Sequence, residues 1–360
     1  MQWRILGFLF VPLLLSANFA MADPSPEYAE HLELTYFLDQ DGTRRPVETI
    51  SDWQQRRDHI LQNVQQVMGP LPQSEEPVPL EAATLSESQL PGLIRRKVAY
   101  HTDSPDEWVH AWLFLPTGSV GKRPAVLCLH QTVTIGKDEP AGLGGSPNLH
   151  YGLELAKRGF VTLMPDYPSF GEHDYSFEGD YPSGSMKAIY DNIRAVDFLQ
   201  SLPVVEPGQI GCIGHSLGGH NSIFTAVFEP RIRVVVSCCG FTCFHKYKGG
   251  DLTGWTGSRY MPRIASCYGS HPDQMPFDFT ELIGALAPRP FLAVAPLHDD
   301  NFNNGGVRDV MAAVLPIYAL YGNPEALVSD YPDCEHDFPP QSRQRAYDFL
   351  AQHLESSPAE

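Results

Sequence analysis

The chain has no cysteine before Cys128, no C-x-x-C pair and no H-E-x-x-H motif. These gaps exclude a lipid-modified N-terminal cysteine, a thioredoxin-type redox pair and a zincin-type metal helix. The cysteines present have no histidines at zinc-finger spacing, so no structural metal is expected. Basic residues are scarce, with 25 Lys+Arg against 43 Asp+Glu and a formal net charge of −18. Such a chain repels phosphate backbones and anionic membranes at long range, so nucleic acid is not an expected partner. No repeat of about 20–50 residues is visible, which argues against solenoids and propellers. The apolar run Ile5–Leu15 falls short of the roughly 20 residues that a membrane span needs.

What is present describes an exported globular protein. Hydrophobic residues make up 42% of the 360 and charged residues 19%, enough for a large core. Arg4 precedes the apolar run, and Ala20-Met21-Ala22 stands ahead of Asp23-Pro24. That layout predicts a signal peptide over residues 1–22, a periplasmic or extracellular destination, and no membrane attachment after cleavage. The seven cysteines are odd in number, so at least one has no partner within the chain. Cys128 and Cys212 sit in apolar runs and read as small buried hydrophobes. Cys238, Cys239 and Cys243 lie near Cys267 in a loop-rich stretch where one disulfide could close.

Trp53, Ile60, Leu61, Val64, Val67 and Met68 recur at helical spacing, predicting a helix over 51–68, capped by Ser51 with Gln54 and stopped at Gly69-Pro70. Residues 73–92 are acidic and contain prolines, and read as a connector. The expected organisation is an N-terminal extension over 23–92 and a catalytic domain over 93–360. Strand-like runs occupy 94–100 and 108–115. From Ala125 the rhythm changes to short apolar runs at 125–129, 160–164, 209–213, 234–238, 290–295 and 326–331. Helical stretches at 149–158, 185–201, 217–228, 280–287, 307–321 and 341–354 alternate with them. This alternation predicts an α/β fold, a mostly parallel sheet covered on both faces.

Gly214-His215-Ser216-Leu217-Gly218-Gly219 directly follows one of these strands and directly precedes a helix. The G-x-S-x-G pattern alone is weak, with about 0.2 chance matches expected in a chain of this composition. Its context carries the reading: a sharp strand-to-helix turn needs both glycines and lifts the serine hydroxyl onto a helix N-terminus. Ser216 is therefore the candidate nucleophile, and His215 beside it points the wrong way to be its base. A serine needs a base, and the base needs an orienting carboxylate. His336, between the last strand and the last helix, is the preferred base over His298 and His353. Asp299 and Asp300 both follow the strand Phe291–Ala295; either could reach His336, and the offset from the strand favours Asp299. The amides of Leu217 and Gln131 are the candidate oxyanion donors, with the His130 ring stabilising its loop.

These residues resemble the α/β-hydrolase superfamily over about residues 95–355, in particular its dienelactone-hydrolase-like and acetyl-xylan-esterase-like bacterial branch. The motifs that carry the likeness are Leu129-His130-Gln131, Asp166 in Met164-Pro165-Asp166-Tyr167, the Ser216 elbow, Pro296-Leu297-His298-Asp299 and Glu335-His336-Asp337-Phe338-Pro339. The resemblance implies an α/β-hydrolase fold with Ser216, Asp299 and His336 as nucleophile, acid and base. Ser216 stands where dienelactone hydrolases proper have cysteine, and the G-C-S-R-type elbow of glucuronoyl esterases is missing. The stretch Gly240 to Phe279 should roof the site, and Trp255, Arg259 and Tyr260 within it are candidate substrate contacts, with an aromatic platform and a guanidinium for a sugar ester. The expected function is a secreted serine esterase acting on small-molecule or saccharide esters, without a cofactor or catalytic metal. A prolyl-oligopeptidase-like serine peptidase is the alternative, although the roughly 100 residues before Ala125 cannot build that group's propeller.

Overall fold

The computed structural model describes residues 25–73, 76–118, 121–179 and 181–354; the expected signal peptide lies outside these residues. A small hairpin, β1 (Tyr36–Leu38) and β2 (Arg44–Pro46), leads into α1 (Ile50–Met68). Strands β3 (Ala83–Leu90), β4 (Leu93–Tyr100), β5 (Val109–Pro116) and β6 (Arg123–Leu129) follow. The chain then alternates through α2 (Tyr151–Lys157), β7 (Val161–Pro165), α3 (Gly184–Ser201), β8 (Val205–His215), α4 (Leu217–Phe228) and β9 (Ile232–Cys238). Two short helices, α5 (Arg263–Ser266) and α6 (Phe279–Gly284), precede β10 (Phe291–Val294), α7 (Asn304–Leu320), β11 (Leu327–Asp330) and α8 (Pro340–Leu354).

Nine strands form the main sheet in the order β11-β10-β9-β8-β6-β7-β5-β4-β3. The pairings from β11 to β7 are parallel, and those from β7 to β3 are antiparallel. Helices cover both faces, as the continuous apolar strands require. On one face Met186 and Ile189 of α3, Ile223 of α4 and Val310 of α7 pack against Leu127 and Val235. On the other, Tyr151 and Leu155 of α2 and Phe349 and Leu350 of α8 pack against Val126 and Val236. The α/β architecture expected from the alternation, and the hydrolase arrangement that the resemblance implied, are those observed.

Two local expectations need correction. Helix α1 is capped by Thr49, whose hydroxyl accepts from the Asp52 amide at 3.2 Å while the Asp52 carboxylate accepts from the Thr49 amide at 2.9 Å. This capping box lies two residues before the one proposed at Ser51, because Ile50 already belongs to the helix. The supposed connector over 73–92 contains β3, paired antiparallel with β4. Its residues Ala-Thr-Leu-Ser-Glu-Ser-Gln-Leu are mostly exposed, so an edge strand formed without the apolar alternation that marks a half-buried one. The boundary at 92/93 therefore cuts a hairpin.

The N-terminal arm is tied to the far end of the chain. His31 bonds the Glu281 carboxylate through Nδ1 at 2.8 Å and donates from Nε2 to the Met275 carbonyl at 2.9 Å. Arg56 of α1 donates to the other Glu281 oxygen at 2.7 Å and stacks on Tyr28. All three charged groups are buried.

Candidate active site

Strand β8 lies in the middle of the sheet, and Ser216 comes directly after it with φ 53 and ψ −116. A non-glycine residue held there stores about 1–3 kcal/mol of strain, sustained only by its surroundings. Those surroundings are tight. A side chain at Gly214 would lie 2.2 Å from the Gly218 carbonyl oxygen, and one at Gly218 would lie 1.9 Å from that of Leu129. Both glycines are needed by close backbone approach, and the second shows how nearly α4 abuts the end of β6. This contact sets the N-terminus of α4, where partial positive charge gathers, against the backbone of Leu129 and His130, and Leu217 and Thr132 line one cavity. The His130 ring pins the loop: Nδ1 donates to the Gln131 carbonyl at 2.6 Å and Nε2 accepts from the Tyr167 amide at 2.9 Å.

His336 sits on the loop after β11, and its Nδ1 donates to Asp299 Oδ2 at 2.9 Å. The other Asp299 oxygen accepts the amides of Asn301 at 2.8 Å and Phe302 at 3.0 Å. Burial pushes the Asp299 carboxyl up, but the His336 bond and charge and the two amides outweigh it, and its pKa is lowered. For His336, burial opposes the imidazolium, yet the Asp299 carboxylate and the Cys239 sulfur prevail and raise its pKa. Asp300 is exposed. His298 is also exposed and bonds Asp333 at the surface at 2.8 Å, while His353 packs on Phe349. The structure thus brings Asp299 and His336 together and leaves their competitors outside.

A cavity of about 60 Å³ opens beside the serine, lined by Thr132, Ser216, Leu217, His220, Tyr247, Gly254, Trp255, Tyr260, Asn301 and Phe302. Phe302 stacks on the His336 ring at 6.1 Å, which joins the imidazole to the same wall. A larger groove of about 570 Å³ between the N-terminal arm and Lys246 contains none of these groups.

The match to the model of the Alpha/beta hydrolase family covers residues 126–354, more than half of the chain. The chain belongs to the alpha/beta hydrolase family. It is 29% identical over 229 residues to the putative hydrolase YtaP of Bacillus subtilis (strain 168), covering 59% of this chain and 72% of that one. The fold is similar to a glucuronoyl esterase from Solibacter usitatus, with TM-score 0.74 and 18% identity over 91% of this chain and 99% of the other. It is also similar to an acetyl xylan esterase from Paenibacillus sp. R4, with TM-score 0.57 and 19% identity over 77% and 90%.

The roof of this hydrolase packs largely on itself. Trp255 is only 3% exposed and meets Phe244, Tyr247 and Phe279, offering the cavity part of its surface rather than an open face. Arg259 lies over the Phe170 ring and donates to Ser169, whereas Arg263 turns away to the Gln66 carbonyl. Tyr260 is half-buried, and its hydroxyl lies 3.2 Å from that of Thr132. All seven cysteines are free thiols, so the disulfide that the cluster could have closed is not formed: Cys238, Cys239 and Cys243 are buried and Cys267 is exposed. Glu172 bonds Lys97 and Lys137, while His173 turns to Glu107.

Sequence reasoning missed His220 and Cys239. His220 is buried in the cavity wall, and burial lowers its pKa to about 3, which keeps it neutral. Its spacing from Ser216, four residues along α4, was the available signal. Cys239 follows the strand next to the one that ends at the Ser216 elbow, a position where α/β folds often carry functional groups.

Proposed function

We propose that the chain is a serine carboxylic-ester hydrolase, exported, and acting on small or saccharide-linked esters through an acyl-enzyme on Ser216. The observation that carries this reading is the Asp299–His336 pair at 2.9 Å, its carboxylate buried and its ring half-exposed, beside a serine in a strained strand-to-helix elbow. Asp299 fixes the ring with its proton on Nδ1, leaving Nε2 with a free lone pair for the serine proton. Attack on the ester carbonyl forms a tetrahedral oxyanion, which the Leu217 and Gln131 amides stabilise. His336 then protonates the departing alcohol, and water repeats the sequence to release the acid.

The cavity beside Ser216 suits a small acyl group, with the alcohol portion left outside. The esterase names carried by the similar folds fit an ester of a sugar, and no observation favours the peptidase. A fluorophosphonate probe should label the mature chain, and Ser216→Ala should abolish labelling and lower kcat roughly 10⁴–10⁶-fold with the fold intact. Labelling that persists in Ser216→Ala would move the nucleophile elsewhere. Hydrolysis of acetylated sugars, uronate methyl esters and peptidyl-prolyl amides, measured side by side, separates esterase from peptidase.

A further inference from the structure

Behind His336 lies a group of side chains that ester hydrolysis does not use. Strand β9 ends in Cys238, and Cys239 follows with φ 49; the two Sγ atoms lie 3.7 Å apart. Strand register sets His215, the last residue of β8, opposite Cys238. His215 is 1% exposed, and neither of its ring nitrogens has a hydrogen-bond partner among the described residues. Buried imidazoles are rarely left wholly unsatisfied, because each orphaned polar atom costs about 1–3 kcal/mol. One ligand atom from each of His215, Cys238 and Cys239 lies within 4.8 Å of the other two.

The thiol spacing is what a tetrahedral metal requires. Metal–sulfur bonds of about 2.3 Å hold two sulfurs about 3.8 Å apart, so the observed separation needs almost no adjustment. Cys239 belongs to a second trio as well, with Asp299 and His336 within the same 4.8 Å limit. The third such trio, Glu107, His173 and Asp191, already has its cation, since the Lys187 ammonium bridges Glu107 and Asp191.

We propose that His215, Cys238 and Cys239 form a site for one thiophilic d¹⁰ cation, Zn²⁺ or Cd²⁺, that silences the neighbouring His336. Binding forms two metal–thiolate bonds and two metal–imidazole bonds, one to His215 and one to His336 Nδ1, which gives up its bond to Asp299 and passes its ring proton to Nε2; two thiol protons leave to water, and no electron moves. The fourth coordination position is within reach of His336, whose side chain is 25% exposed and gives the ion its way in. With Nδ1 on the metal and the ring proton on Nε2, the imidazole cannot take the serine proton. This silencing rests on the function proposed above, whereas metal binding does not.

The test titrates the full chain, reduced with a phosphine, with Cd²⁺ while following the ultraviolet thiolate-to-cadmium charge-transfer band and ester turnover. The band should saturate at one Cd²⁺ per chain, turnover should fall in step, and EDTA should reverse both. Cys238→Ser should lose the band and make its remaining turnover insensitive to Cd²⁺, whereas Cys267→Ser, changed at the exposed thiol, should behave as the parent does. A missing band, or one that survives in both Cys238→Ser and Cys239→Ser, overturns the site. A saturated band with unchanged turnover overturns the link to His336. A chain that hydrolyses no ester without metal refutes the proposed function instead, and the band still decides the site.

Discussion

Replacing Asp299 with asparagine tests the acid arm of the site at nearly constant volume. Asp299 uses one oxygen for His336 and the other for the amides of Asn301 and Phe302. Asparagine has a single acceptor oxygen, and two fixed amide donors claim it, so its NH₂ group must face the imidazole. His336 Nδ1 then has to accept, the ring proton moves to Nε2, and the nitrogen needed as base is already protonated. A mis-set tautomer of this kind costs on the order of 10⁴ in kcat, about 5.5 kcal/mol at 1.36 kcal/mol per decade. Stability should fall less, by about 1.5–3 kcal/mol, because a single charged hydrogen bond is weakened. Steady-state kinetics on an aryl acetate, with a thermal melt of each variant, measures both quantities. Asp300→Asn is the control; its carboxylate is exposed, and the change should stay within about 0.5 kcal/mol. An Asp299→Asn enzyme that keeps a tenth or more of its kcat, or an Asp300→Asn enzyme that falls as far, would refute the assignment.

The remaining predictions concern the pocket, a buried ion pair and the N-terminal arm. The parent should prefer acetyl to butyryl esters by about tenfold or more in kcat/KM, and Tyr260→Ala, by widening the cavity, should shrink that ratio; an unchanged ratio would mean that the cavity does not hold the acyl group. Lys137 is buried against Asp166 at 2.6 Å, so Lys137→Met should destabilise the fold by about 3–5 kcal/mol in urea unfolding, with partial recovery in Lys137→Met/Asp166→Asn. Burial lowers the His31 pKa, but Glu281 overcomes this and raises it from 6.5 to about 9. Because the folded value is the higher one, the stabilisation is complete below about 6.5 and is lost as pH rises through about 9. Thermal melts across that window should show a decline that is smaller in His31→Gln, and equal declines would dismiss the linkage.

The parallel core was readable because each of its strands is a short apolar run bounded by turn residues, and the elbow at Ser216 was readable because glycine is irreplaceable at 214 and 218. Ordinary offsets from strand ends pointed to His336 and favoured Asp299 over Asp300, and these are the two side chains that the fold pairs. Strand β3 was hidden because an edge strand exposed on both faces need not alternate. The packing of the roof was not legible: Trp255 lines the cavity with Tyr260, as the sequence suggested, but the loop is long enough to bury most of its ring in an aromatic cluster of its own. No sequence pattern marked Cys239 or His215 as neighbours of the base, since strand register alone brings them there.

The arm that carries His31 has a consequence for the order in which the molecule is built. Its partners Glu281 and Met275 lie 250 and 244 residues further along the chain, and Arg56 waits for Glu281 across 225. A ribosome adding about 5–20 residues per second leaves His31 without its carboxylate for roughly 12–50 s. Throughout that interval Arg56 stays hydrated, because burying it unpaired would cost several kcal/mol, and His31 lacks the carboxylate that raises its pKa from 6.5. The beginning of the chain therefore closes over the body only after nearly four-fifths of it has been made. A chain that stops short of α6 lacks the carboxylate that pairs with both groups, and it cannot bury them as an ion pair.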